Sequence, residues 1–138
     1  ARRHLPADAR VVVTGNPLRA DFLSWDKAAA RAELGLDNRP LVLSFGGSLG
    51  AARINEAMAE VLRRSREAGK LQHIHGAGKA GFAAMKEQLD RMGMPLQEGG
   101  ITVREYIDDM PRCMAAADLV VSRCGAMTLA ELPAMGSR

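Results

Sequence analysis

Long hydrophobic runs are missing from this sequence of 138 residues. No apolar stretch approaches the roughly 20 residues that span a bilayer, and residues 1–10 are too polar for a secretory signal. The only two cysteines, Cys113 and Cys124, have neither metal-ligand spacing nor a disulfide framework. Free thiols of this kind are typical of a reducing compartment. We therefore expect a cytosolic chain.

Aromatic side chains are also scarce, with one Trp, one Tyr and three Phe. So few stacking platforms disfavour a nucleic-acid-binding function. Hydrophobic residues make up 47% of the chain and charged residues 25%, which suits one globular domain. The formal net charge of +3 is compatible with a phosphate-bearing ligand or an anionic membrane surface.

Short strand-like segments alternate with longer helical ones along the chain. Strands are predicted at 11–14, 41–45, 71–75, 101–103 and 118–122, and helices at 27–36, 51–68, 79–92, 108–117 and from Ala126 onward. This alternation predicts an α/β domain with a mainly parallel sheet. Ile54, Met58, Val61 and Leu62 are the predicted buried face of the second helix. Because the chain stops where a further strand is due, we expect an open sheet edge and a fragment of a longer protein.

A glycine-rich loop, Gly46-Gly47-Ser48-Leu49-Gly50, joins a buried strand to a helix. Such a loop brings backbone amides and a helix N-terminus close to a ligand, and a phosphate suits both. Tight packing of the strand against the helix also requires glycine, so the loop alone leaves both interpretations open. A dinucleotide cofactor is disfavoured, because the glycines are not spaced as G-x-G-x-x-G and the next strand ends in His75 rather than an acidic residue.

A second loop, Arg123 to Thr128, also opens a helix at a strand's carboxyl end. Thr128 can donate from its hydroxyl, and Glu131 lies three residues later on the same helical face. A phosphate at this loop would place an attached ribose near the Glu131 carboxylate. An ordinary helix start, with an acidic residue near its positive end, remains the alternative.

Two further features have competing interpretations. Asp108-Asp109 could bind a metal, but an N-cap followed by an acidic first turn near Pro111 is the preferred interpretation. Arg19 could clamp a diphosphate, although alone it is an ordinary surface arginine. Cys124 has no evident base beside it and is not expected to be a nucleophile.

Together these motifs resemble the MurG family of peptidoglycan N-acetylglucosaminyltransferases. The motifs are Thr14-Gly15-Asn16-Pro17-Leu18-Arg19, then Gly46-Gly47-Ser48-Leu49-Gly50-Ala51 with Arg53 and Asn55, then Tyr106-Ile107-Asp108-Asp109-Met110, and finally Arg123-Cys124-Gly125-Ala126-Met127-Thr128 with Glu131. They follow the family's order and spacing over nearly the whole chain. Four motifs in register are highly specific, whereas any one of them is not. Leu49 and Gly76 stand where the family often has glutamine, and Pro133 falls inside the last helix, where we expect a kink.

The resemblance implies the C-terminal, donor-binding half of a two-domain, GT-B-type glycosyltransferase. It implies an interdomain linker and first strand at 1–20 and a partial UDP-sugar-binding domain at 21–138. By motif position, the residues that would bind UDP-N-acetylglucosamine are Arg19, Ser48, Ile107, Ala126, Met127, Thr128, Leu129, Ala130 and Glu131. Arg19 and Ser48 would contact the diphosphate, the Ile107 main chain the uracil and Glu131 the ribose. Neither a metal nor a cofactor is implied.

The activity implied for the parent is transfer of N-acetylglucosamine to lipid I, giving lipid II with inversion, in cell-wall biogenesis that supports cell shape and division. Lipid I would be bound through an absent N-terminal half, and the parent would be peripheral to the cytoplasmic face of the membrane. With no catalytic residue of its own, this chain would supply donor binding only. A non-catalytic UDP-sugar-binding subunit and a related glycolipid glycosyltransferase are the alternatives.

Overall fold

A computed structural model describes residues 10, 12, 16–18, 20–123 and 125–134. The described residues contain five strands: β1 (Leu41–Phe45), β2 (Gln72–Gly76), β3 (Gln97–Glu98), β4 (Ile101–Arg104) and β5 (Leu119–Ser122). They form one sheet in the order β3-β4-β2-β1-β5, in which only β3 runs antiparallel to its neighbour. The predicted α/β class with a mainly parallel sheet is confirmed.

Helices cover both faces of this sheet. They are α1 (Lys27–Glu33), α2 (Ala52–Ala68), α3 (Phe82–Arg91), α4 (Met110–Ala116) and α5 (Ala126–Ala134), preceded by a short 3-10 helix at Ala20–Leu23. Leu41, Leu43 and Phe45 face one core, which α1 and α4 close. Ile101 and Val103 face a second core with Leu62 of α2 and Met85 of α3. No helix of the described ranges is long and apolar enough to cross a membrane.

The strand order places a switch point between β1 and β5. From β1 the chain moves outward through β2 to β4, and it then returns to add β5 on the other side of β1. Parallel α/β sheets bind ligands at such a point, outside the carboxyl ends of the strands. The loops after β1, β2, β4 and β5 all leave the sheet at this edge, because these four strands are parallel.

The boundaries agree with the pattern of the sequence except in a few places. β1 has the predicted limits, and Gly69 ends α2 in a left-handed conformation (φ 61°) as expected. Val61 was wrongly placed on the buried face: its exposed fraction is 43%, and Asn55, Ala59 and Ser65 are buried instead. The packing stripe is therefore shifted around the helix toward small and polar residues. The strand predicted at 11–14 lies almost wholly outside the described residues.

A chain of buried polar groups links β1, β2 and α2. The Ser44 hydroxyl oxygen lies 2.9 Å from Nε2 of His73 and 2.7 Å from Nδ1 of His75. His75 Nε2 is 3.1 Å from Oδ1 of Asn55, whose amide nitrogen donates to the Ala77 carbonyl at 2.9 Å. Two neutral imidazoles satisfy this chain in one direction, since each donates from Nε2 and His75 accepts from Ser44 at Nδ1. The network joins the start of α2 to the loop after β2.

Candidate binding site at the carboxyl edge of the sheet

A cavity of about 520 Å³ opens at the carboxyl edge of the sheet. Its size is within the range of small-molecule sites. Each of the four parallel strands contributes to it through the loop or helix that follows. The lining residues are Phe22, Phe45, Gly47, Ser48, Gly76, Gly78, Glu105, Tyr106, Ile107, Asp108, Met110, Met127 and Glu131.

In the first glycine loop, two glycines are required for close packing and a third leaves its backbone open at the cavity. Gly50 has a φ of 84°, and a Cβ there would lie 2.1 Å from the carbonyl oxygen of Ala77, so the backbones of two loops are in direct contact. A Cβ at Gly46 would lie 2.5 Å from the backbone nitrogen of Ala51. Gly47 has a φ of 90° with no atom within 4 Å of its Cβ position, and it lines the cavity. Close packing therefore requires glycine at positions 46 and 50, while the backbone of Gly47 is open to the cavity.

The helix that follows this loop begins without a side-chain cap. Ala51 is the N-cap residue of α2 and makes no capping hydrogen bond. The first amide groups of a helix have no intrahelical acceptor, and they carry the positive end of its dipole. An anion above Gly47 and Ser48 would satisfy these donors.

The second helix at this edge, α5, begins at Ala126 directly after the β5 loop. Met127 and Glu131, one turn apart, line the cavity. The Glu131 carboxylate makes no hydrogen bond or ion pair with any residue that the structure describes. Glu131 is half-buried at the cavity, and its carboxylate oxygens can accept hydrogen bonds from a ligand hydroxyl.

The wall opposite these loops is the segment between β4 and α4. The Ile107 side chain is almost fully buried, and a Cβ at Gly76 would lie 3.0 Å from its Cδ1. Because that side chain fills the space over Gly76, the backbone around Ile107 forms part of the cavity wall. Tyr106, beside it, is 48% exposed.

The charged side chains that line the cavity are acidic. Glu105, Asp108 and Glu131 line it, whereas no lysine or arginine among the described residues does. An adjoining cavity of about 490 Å³ shares Ser48, Tyr106 and Asp108 and adds Leu49 and the exposed Lys79. An anion bound at this edge would therefore have to be stabilised by backbone amides and by cations at the margin of the cavity.

The structure brings some of the predicted ligand residues together and leaves others aside. Ser48, Ile107, Met127 and Glu131 line the cavity. Thr128, Leu129 and Ala130 lie on α5 without lining it, and Leu129 is 56% exposed. Ala126 is the first residue of α5. Arg19 and Cys124 lie outside the described residues, so their predicted roles stay predictions.

Several lining residues were not singled out as ligands. Phe22 comes from the 3-10 helix, which the hydrophobic pattern does not predict, and Glu105 follows β4 directly. Tyr106, Asp108 and Met110 belong to the same motif as Ile107, so their closeness to it in the sequence could have identified them as lining residues. In the sequence, Gly76 is only a departure from the family's glutamine.

The preferred interpretation of Asp108-Asp109, an N-cap followed by an acidic first turn, is wrong about which aspartate occupies the N-cap and about what its side chain does. Asp109, not Asp108, occupies the N-cap of α4, and its side chain makes no capping bond. Its carboxylate instead accepts from Arg104 Nη1 at 2.9 Å and from Arg112 Nη2. Burial raises the pKa of Asp109, but hydrogen bonding from Arg112 and the charge of Arg104 outweigh burial and hold the pKa below its usual value. The Asp109 carboxylate is therefore engaged by two arginines and does not cap the helix.

The sheet order, the helices on both faces and the cavity at the switch point define a Rossmann-like α/β ligand-binding domain. Comparison with known sequences is more specific. The glycosyltransferase family 28 C-terminal domain profile matches residues 41–138, and the chain belongs to this family.

Named relatives and a solved structure agree with this assignment. The chain is 38% identical over 137 residues to an Acetivibrio thermocellus protein and 39% identical over 138 residues to one from Desulforudis audaxviator. Both are named UDP-N-acetylglucosamine--N-acetylmuramyl-(pentapeptide) pyrophosphoryl-undecaprenol N-acetylglucosamine transferase. The matches cover 99% of this chain but only 36% and 37% of those proteins. The crystal structure of Acinetobacter baumannii MurG is similar, with a TM-score of 0.59 and 25% identity over 96% of this chain and 34% of that one. The predicted resemblance to the MurG family is confirmed.

Proposed function

We propose that this chain binds UDP-N-acetylglucosamine in the cavity at the carboxyl edge of its sheet, as the donor-binding part of a peptidoglycan glycosyltransferase. The observation that carries the proposal is the meeting of Ser48, Ile107 and Glu131 at one cavity. These residues come from three separate motifs, and each had been given a different part of the same donor to contact. The chain spans little more than a third of the length of the relatives named above.

The diphosphate would lie over the glycine loop. The Gly47 backbone is open there, Ser48 adds a hydroxyl donor, and the uncapped start of α2 supplies amides and dipole. The same donors would stabilise the negative charge that develops on UDP when an acceptor hydroxyl displaces it at the anomeric carbon, with inversion. Arg19 would add a bidentate contact.

The nucleoside would lie between the other two walls. The main chain of Ile107 would contact the uracil, and the half-buried Glu131 would accept from the ribose hydroxyls. Backbone recognition of a base requires a wall that does not shift, and the buried Ile107 side chain provides its anchor.

The acceptor in the reaction that names the relatives is a pyrophosphoryl-undecaprenol carrying N-acetylmuramyl-pentapeptide. We propose that the parent of this chain uses the same acceptor, lipid I, and works at the cytoplasmic face of the membrane as a peripheral protein. A lipid-linked acceptor supports this location, since the undecaprenyl chain remains in the bilayer.

Glu131→Ala tests the assignment by calorimetry with UDP-N-acetylglucosamine. Loss of a charge-assisted hydrogen bond should weaken affinity at least about tenfold, since such a bond contributes roughly 1.5–3 kcal/mol. Glu56→Ala is the matched control, because Glu56 is an exposed glutamate of α2 that does not line the cavity. Equal affinity in Glu131→Ala and wild type would contradict the role given to Glu131. No binding by the folded wild-type chain would reject the proposed function.

A further inference from the structure

Asp109 does not line the cavity, yet it lies directly after the segment that forms one of its walls. We propose that Asp109, held between Arg104 and Arg112, is a positioning residue that fixes residues 105–108 and thereby sets the discrimination between nucleoside bases. This inference rests on the proposed function, in which the Ile107 main chain contacts the base.

The Asp109 carboxylate links two elements rather than capping its own helix. An aspartate at an N-cap normally accepts from the first turn of its own helix, and losing such a cap costs stability. Asp109 makes no capping bond and receives both arginines instead. One of its oxygens faces Arg104, at the end of β4, and the other faces Arg112, in the first turn of α4. The carboxylate therefore bridges the two ends of the 105–108 segment.

Arg112 is itself anchored by residues outside α4. Its Nη1 donates to Oε2 of Glu33, in the last turn of α1, at 3.1 Å. Its guanidinium carbon lies 5.9 Å from the ring centroid of the partly buried Trp25, within the distance of a cation–π contact. Arg112 is therefore fixed from two sides by elements outside the wall segment. A shift of Asp109 would break contacts that reach α1.

The segment 105–108 is held at its start and in its middle by other contacts. Its start is bonded to the loop after β2, where the amides of Ala77 and Gly78 donate to the carbonyls of Arg104 and Glu105 at 2.9 Å each. Its middle is held by the Ile107 side chain in the core. Asp108 is exposed, so the carboxylate of Asp109 closes the far end. Backbone recognition tolerates little displacement, because a hydrogen bond weakens steeply once its geometry is lost.

The test compares affinities of the 138-residue chain for UDP and CDP, which differ only in the base. Wild type should prefer UDP. Asp109→Asn removes the charge that holds both arginines and should reduce this preference about fivefold, the change expected when one base contact is lost. Asp109→Glu keeps the charge and should restore part of the preference. Arg104→Gln, which leaves Arg112 in place, is the milder variant if Asp109→Asn does not fold.

Asp118→Asn is the matched control. Asp118 is also bound by two cations, Lys27 and Arg31, but it directly precedes β5 and so lies at the amino ends of the parallel strands, away from the cavity. This variant should lower the melting temperature and leave the ratio of UDP to CDP affinity within twofold of wild type. A folded Asp109→Asn or Arg104→Gln variant with the wild-type ratio would overturn the inference while leaving donor binding intact. A wild-type chain that binds neither nucleotide would instead reject the proposed function.

Discussion

At the scale of single residues, the two buried histidines constrain the protein most strongly. His73 and His75 are almost completely inaccessible on β2 and share one serine hydroxyl. The directed hydrogen-bond chain from His73 through Ser44 and His75 to Asn55 needs both rings to be neutral. A proton on Nδ1 of His75 would force Ser44 to lose its acceptor and would place a charge in the core. Burial lowers the pKa of each histidine to about 4.

These histidines predict a loss of stability in mild acid. Unfolded histidine titrates near pH 6.5, so between about pH 6.5 and 4 the unfolded chain binds more protons than the folded one. The free energy of unfolding should therefore fall as the pH is lowered through this window, by about 2 kcal/mol per histidine between pH 8 and pH 5. Denaturant titrations at several pH values measure this slope. In His73→Gln the slope should be about half as steep, and an unchanged slope would refute the buried-neutral assignment.

Single residues could be predicted from the sequence where they belong to a recognisable motif. Ser48 and Glu131 could be assigned because Ser48 lies in the loop after β1 and Glu131 on the helix after β5, so the topology places both at one edge. Asp109 could not, because its partner Arg104 lies on another element and no sequence spacing reveals whether a carboxylate caps or forms an ion pair. Phe22 reaches the cavity from a 3-10 turn, which has no apolar period long enough to recognise.

At the scale of elements, the loops after β1 and β2 behave as one unit. Gly50 and Gly78 both have positive φ and contact each other backbone to backbone, and the Lys79 amide donates to the Ser48 carbonyl at 3.3 Å. Asn55 adds a side-chain bond from α2 to the same loop. The position of Ser48 in the cavity therefore depends on the loop after β2 as well as on its own.

Gly50→Ala tests this contact. The new Cβ would lie 2.1 Å from the Ala77 carbonyl oxygen at a φ of 84°, and a backbone atom cannot move aside cheaply. The free energy of unfolding should fall by about 3 kcal/mol or more. Gly93→Ala is the control, because Gly93 has a φ of 65° with no atom within 4 Å of its Cβ position. It should lose only about 1 kcal/mol from the strain of the left-handed conformation. Similar losses in urea denaturation would mean that the two loops are not in firm contact.

Among the elements, the long periodic ones were predictable and the short ones were not. β1 and α2 have strong apolar patterns, and their limits were found to within a residue. The two-residue β3 is made of exposed Gln97 and Glu98, and it forms because the turn at Gly99 and Gly100 folds it back onto β4. The buried face of α2 was misplaced at Val61, because Asn55 and Ser65 are buried by polar contacts and close packing rather than by hydrophobicity.

At the scale of the whole molecule, the two faces of the sheet are covered unequally. Among the described elements, β5 pairs only with β1. Val120 packs against the core with α1 and α4. Its neighbours Leu119 and Val121 point to the other face, where they remain 56% and 37% exposed. Within the described part of the chain, these two side chains form an exposed apolar strip on β5, which favours association with another chain.

Val121→Lys should therefore weaken self-association of this chain without unfolding it. A charged side chain within the apolar strip opposes its burial against a second chain, so the dissociation constant from sedimentation velocity should rise at least about tenfold. Val61→Lys is the matched control, because Val61 is similarly exposed, at 43%, but lies on α2 rather than on β5. It should leave the dissociation constant unchanged. Equal effects of both substitutions would show that overall charge controls association, and a wild-type chain that stays monomeric at high concentration would show that the exposed strip is too small to drive it.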